Sequence, residues 1–250
     1  MSAFGPLLVN QQEPLLKFAE EGDLAGVQRI LGEASEADRL QKLKKLRDED
    51  SRTALHRACA AGHKEVAAYL LSQGAVVNVE DDAGWTPLHS CASKGADVLL
   101  DLLLEAKADC DTATSTGSTA LHFAASKGHQ DALRSLLAAG AKRNPRDHNG
   151  GTPLLRAVGA GRAQVVRLLL EAEADVALKD RAGENAMHIA INGHHLPVCE
   201  VLFGVDSAER LMTQENDDGK TGAQLLLELL PMETRGALKS IWRDSRGGED

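Results

Sequence analysis

The segments TALHRACAAGH, TPLHSCASKGA, TALHFAASKGH and TPLLRAVGAGR begin at Thr53, Thr86, Thr119 and Thr152, each 33 residues after the last. A fifth, NAMHIAINGHH, follows 33 residues on at Asn185. A unit this short cannot bury its own apolar face, so it must pack on its neighbours in a continuous stack. The chain is 43% hydrophobic but only 3% aromatic, so the core has to come from Leu, Ala and Val. Ala and Leu are strong helix formers, and small side chains let helices approach closely. The repeat therefore predicts stacked helices.

Residues 81–113 serve as the model unit. Asp81-Asp82-Ala83-Gly84 reads as a turn with Gly84 at a positive φ. Thr86 caps a first helix and Pro87 takes its first position, where a missing N–H costs nothing. Leu88, His89, Cys91 and Ala92 form that short helix, Gly95 ends it left-handed, and DVLLDLLLEA (97–106) makes the second. This period and T-P-L-H-x-A core resemble the ankyrin-repeat family. The resemblance implies an all-α solenoid of seven stacked helix-turn-helix repeats with short β-hairpin turns.

The expected boundaries are a tail over 1–10, one repeat domain over 11–244 and a tail over 245–250. Within the domain lie an N-cap repeat (11–47), the repeats 48–80, 81–113, 114–146, 147–179 and 180–215, and a C-cap repeat (216–244). EPLLKFAEEGD (13–23) opens the N-cap unit, with Glu20, Glu21 and Asp23 for its outer face. The spacing then stretches by seven residues, and KLKKLRDED lengthens the first connection. Near the other end 36 residues separate Asn185 from Thr221, which enlarges the loop around GVDSAERLMTQEN. METRGALKSIWRD closes the stack with Leu238, Ile241 and Trp242 turned inward.

The recurrent His56, His89, His122 and His188 read as structural imidazoles that hydrogen-bond the turn of their own or the adjacent repeat. Leu155 replaces the histidine once, a tolerable loss of about 1 kcal/mol. His194-His195 aligns with Gly62-His63 at a helix end, so it too is structural. Cys59, Cys91, Cys110 and Cys199 form no C-x-x-C pair and read as buried reduced thiols.

A net charge of −9 argues against nucleic acid and anionic membrane as general partners. The first residues lack a basic, apolar secretory signal, and no apolar run approaches a membrane span of ~20 residues. A cytosolic and nuclear monomer is expected. There is no G-x-x-x-x-G-K-[ST], G-x-S-x-G or H-E-x-x-H, so no catalytic residue, cofactor or metal is assigned.

Binding has a natural address. The resemblance to ankyrin repeats implies that the turns and first helices line a concave face whose variable positions flank the turn glycine and precede the helix-ending one. Here they include Glu49, Asp50, Arg52, Asp82, Trp85, Ser115, Ser118, His148 and Asn149, with Arg57, Lys94, Lys127 and Asn192 on helices. Trp85 is either packed flat on neighbouring turns or an interface anchor. The mixed charges suit a partner carrying both signs.

RDEDSRTALHRACAAGHKEV (47–66) and NVEDDAGWTPLHSCASKG (78–95) go beyond the repeat consensus and resemble the gankyrin family of proteasome assembly chaperones. The resemblance implies a non-enzymatic chaperone of the proteasome regulatory particle that binds the C-terminal domain of a proteasomal ATPase subunit. It carries partner contacts to Asp50, Arg52, Asp82 and Lys127 and places Trp85 at the family's Trp; Lys94 is added from position alone. The L-x-C-x-E motif of vertebrate members is missing. An ankyrin-repeat inhibitor of a kinase or transcription factor is the alternative.

Overall fold

The computed structural model describes residues 14–229 together with Gly236, Leu238 and Ser240. Among these residues there are fifteen helices and no strand. Six helix pairs follow in order: α1 (Pro14–Glu21) with α2 (Leu24–Gly32), α4 (Ala54–Ala61) with α5 (Lys64–Ser72), α6 (Pro87–Lys94) with α7 (Asp97–Glu105), α8 (Ala120–Lys127) with α9 (Gln130–Ala138), α10 (Pro153–Gly159) with α11 (Ala163–Glu171), and α12 (Ala186–Asn192) with α13 (Leu196–Phe203). The start of a seventh is α15 (Gly222–Leu229). The two spacing anomalies are helices as well: α3 (Glu36–Lys45) fills the stretched first connection and α14 (Ala208–Thr213) the enlarged loop.

The β-hairpin turns expected from sequence are tight turns without a ladder. Asp81 N–H donates to the Trp85 carbonyl at 2.8 Å and Gly84 N–H to that of Asp81 at 2.9 Å. A tip this short leaves no residue to extend a strand pair, and the bridge seen, Glu215 with Thr221, stands isolated.

The described residues divide into two compact units, one running up to Cys91 with Val98–Ala108, the other comprising Ala92–Asp97 and the residues from Asp109 on. In the first, α1 packs on α4 and α2 on α5. Leu15, Val27, Leu31, Leu55, Val66 and Leu70 are buried there. In the second, α8, α10, α12 and α15 stack as one layer and α9, α11 and α13 as another. Leu121, Leu133, Leu136, Leu154 and Leu169 fill the space between them. Leu238 is buried as expected, whereas Ile241, Trp242 and the two tails lie outside the described residues. All four cysteines are free and buried. Burial pushes the Cys199 thiol up to about 12.

The repeated histidines act in the role expected of them. Thr53 N–H donates to His56 Nδ1 at 3.2 Å, which makes Nδ1 an acceptor and leaves the proton on Nε2. Nε2 then donates to the Trp85 carbonyl of the next turn at 3.0 Å. His122 likewise joins Thr119 to the Gly151 carbonyl at 3.1 Å, and His188 joins Asn185 to that of Lys220 at 3.0 Å. A second set works backwards along the chain. His63 donates to the Glu20 carbonyl at 2.9 Å, His129 to that of Ser93 at 3.2 Å and His195 to that of Gly159 at 3.0 Å. His194 adopts φ +56° in the place of the helix-ending glycines.

Protonating the first set sets a second N–H against the capping backbone. Burial lowers the pKa of His56, His122 and His188 below the ordinary 6.5, more than the accepting carbonyls raise it. Below pH 6.5 the unfolded chain therefore binds protons that the folded chain does not. The histidines' stabilisation is complete above 6.5 and falls as pH drops from there toward the depressed folded values, by at most about 1.4 kcal/mol per pH unit for each ring. Thermal melts from pH 7.5 to 5 are expected to show this fall, with a shallower slope in His122→Leu, the residue type that position 155 already carries. A slope unchanged by that substitution would contradict the assignment.

Candidate binding face

Each turn is built on the residue five places before the helix cap: Asp48, Asp81, Thr114, Asp147, Asp180 and Asn216. A short side-chain oxygen there folds back on the backbone. Asp48 Oδ1 accepts from the N–H groups of Asp50 at 3.0 Å and Arg52 at 2.8 Å, and Asp81 Oδ1 from Ala83 at 2.9 Å and Trp85 at 2.8 Å. Asp147 Oδ1 takes Asn149 and Gly151, both at 2.9 Å. These bonds fix where the intervening side chains stand.

Two turns add an arginine from the following helix. Arg57 Nε donates to Asp48 Oδ2 at 2.7 Å and Arg156 Nε to Asp147 Oδ2 at 2.6 Å, and in each pair Nη2 reaches the same oxygen. Arg57 also donates to Glu20 at 2.9 Å. Burial raises the pKa of both carboxyls, but hydrogen bonds from the turn N–H groups and the arginines outweigh it and hold Asp48 and Asp147 below the usual carboxylate value. These are fixed, charged struts. Sequence reasoning missed them, treating KLKKLRDED only as a lengthened connection and Arg57 as a variable contact position. The available signal was a recurrence: in two of the four repeats whose turn starts with Asp, an arginine stands four residues after the cap.

Four of the six expected contact residues come together in the first unit. Asp50 and Arg52 are paired with each other, and Arg52 Nε also donates to Asp48 at 3.0 Å. Asp82 N–H donates to the Asp50 carbonyl at 3.1 Å, joining adjacent turns, while its exposed carboxylate has no partner among the described residues. Trp85 is half-buried, its ring tilted 52° to that of His89 with centroids 6.0 Å apart. It packs on its own repeat and still presents surface. Lys94 and Lys127 belong to the second unit. They are exposed last residues of α6 and α8, each followed by a glycine at positive φ that ends the helix.

The first turn carries a local strain. Ser51 sits at φ +63°, where the other turns have Gly84, Gly117, Gly150, Gly183 and Gly219. A left-handed residue with a Cβ costs about 1 kcal/mol, partly offset by the extra unfolded freedom of glycine. Ser51→Gly is expected to stabilise by about 0.5 kcal/mol in chemical denaturation; a loss of stability would show the serine side chain to be needed.

Helix pairs repeated with fixed caps and variable charged turns make a protein-binding scaffold, and among the described residues no helix is long and apolar enough to cross a membrane. The chain belongs to the ankyrin-repeat family: the model for ankyrin repeats (3 copies) matches residues 15–114, 73–147, 97–180 and 140–214. It is similar over shorter stretches to proteins named 26S proteasome non-ATPase regulatory subunit 10. Identity to the mouse protein (Mus musculus) is 52% over 58 residues, 23% of this chain and 22% of that one. Identity to the rat protein (Rattus norvegicus) is 63% over 38 residues, 15% and 16% of the two chains. The human protein (Homo sapiens) is also 63% identical over 38 residues, 15% and 17%. The match thus spans about a fifth of these relatives' length.

Proposed function

We propose that the chain is a non-enzymatic assembly chaperone of the proteasome regulatory particle, which docks the C-terminal domain of a proteasomal ATPase subunit. Residues 11–244 act as one repeat domain and the partner lies along its concave face. Arg52 and Lys127 meet acidic residues of the ATPase domain, Asp50 and Asp82 meet basic ones, and Lys94 and Trp85 complete the contact. The protein works as a monomer in cytoplasm and nucleus, without cofactor, nucleic acid or membrane. Bound in this way, it sterically hinders premature joining of the ATPase ring to the proteasome core.

The observation that carries this reading is the local identity of 63% over 38 residues to proteasome regulatory subunits. Two features support it: the carboxylate of Asp82 is exposed and has no partner among the described residues, and Arg52 is already aligned by Asp48 and so loses little freedom on binding. The test is co-purification with recombinant proteasomal ATPase C-terminal domains. Wild type is expected to retain one of them, and Arg52→Glu with Lys127→Glu to release it; retention by the double variant would remove the assigned site.

A further inference from the structure

Within the second unit, α8, α10 and the turns at 114–118 and 147–151 surround an open cavity of about 420 Å³. None of its lining residues is acidic. Its one permanent cation, Arg156, is held from behind: Nε and Nη2 bind Asp147, whose side chain is only 1% exposed, while the arginine side chain is 41% exposed. Nη1 has no partner among the described residues, so a pre-aligned guanidinium edge is left for a ligand. Ser118 Oγ accepts from Thr116 at 3.2 Å and so keeps its own hydrogen to donate. The ring nitrogens of His122 are already engaged by Thr119 and Gly151, whereas His148 is exposed at the rim. Half-buried Phe123 supplies an apolar patch.

We propose that this cavity receives a glutamate side chain of the docked partner, its carboxylate on Arg156 and Ser118 and its methylenes against Phe123. The inference rests on the reading of this face as the docking surface. A carboxylate fits better than a phosphate because Asp147 already offsets the charge of Arg156. A phosphate dianion would face that buried carboxylate with a single shared cation. A glutamate rather than an aspartate has the stem to cover Phe123.

The test titrates the ¹⁵N-labelled full chain with the N-acetyl methylamide of glutamate, with those of lysine and phosphoserine alongside. Saturable shifts are expected at Ser115–Ser118, Phe123, His148, Asn149 and the Arg156 side chain. Arg156→Gln should weaken them about tenfold, with the rest of the spectrum retained. Ser118→Ala, which leaves the Asp147 strut intact, should weaken them too and keeps the test open if Arg156→Gln misfolds. Absent or non-saturating shifts, equal shifts with the lysine amide, insensitivity to both variants, or tighter binding of phosphoserine would each overturn the assignment. No ATPase domain enters this measurement, so its failure is distinguishable from failure of the wider functional reading.

Discussion

Asp147→Ala is expected to destabilise the protein by about 3 kcal/mol. The carboxylate is almost fully enclosed, and one residue binds the backbone N–H groups of Asn149 and Gly151 and two nitrogens of Arg156. Removing it strands a buried Gly151 N–H and takes the partner from a half-buried guanidinium. Asp147→Asn separates the two parts. Asn216 shows that an amide oxygen sustains such a turn, accepting from Asp218 at 3.1 Å and Lys220 at 2.9 Å. The asparagine variant therefore loses mainly the ion pair and is expected to cost about 1 kcal/mol. Chemical denaturation and amide exchange over 147–157 read both. Equal losses in the two variants would mean that the arginine bond, not the turn, carries the stability.

Gly95→Ala is expected to cost about 2–3 kcal/mol, in two separable parts. The glycine ends α6 at φ +69°, where a Cβ alone costs about 1 kcal/mol. That Cβ would also stand 2.5 Å from His129 Nδ1 and 2.8 Å from Cε1. The ring cannot swing away freely, since its Nε2 is bonded to the Ser93 carbonyl at 3.2 Å. Gly62 is the internal control: it has φ +90° but nothing within 4 Å of an added Cβ. Gly62→Ala should show only the backbone part, about 1 kcal/mol. Similar losses at both positions would contradict the packing argument.

The parts legible in the sequence are those that the 33-residue period repeats. Thr86, Pro87 and Gly95 delimit α6 by local rules that no tertiary contact overrides, and His56 recurs in a frame that only a structural role explains. The less legible parts are those the period does not repeat. KLKKLRDED reads as a connection because its only buried apolar residue is Leu43, yet Ser35 caps the preceding stretch, Oγ accepting from Asp38 N–H at 3.2 Å, and α3 forms. The Asp48–Arg57 and Asp147–Arg156 struts join residues nine apart across a turn, a spacing outside both helix and strand periodicity. Arg52 reads as a free contact residue because only the folded turn brings its side chain back on its neighbours, where its charge is already shared with Asp48 and Asp50.

The docking proposed through Asp82 and Lys127 is most directly tested by titration calorimetry of the full chain with recombinant proteasomal ATPase C-terminal domains. Wild type is compared with Asp82→Lys plus Lys127→Glu. Neither side chain has an ionic partner among the described residues, so the fold should be unaffected. The expected result is binding of one domain by wild type and a loss of about a hundredfold in the double variant, roughly tenfold for each reversed charge. No binding by wild type to any of these domains, or an affinity unchanged by the reversal, would contradict it.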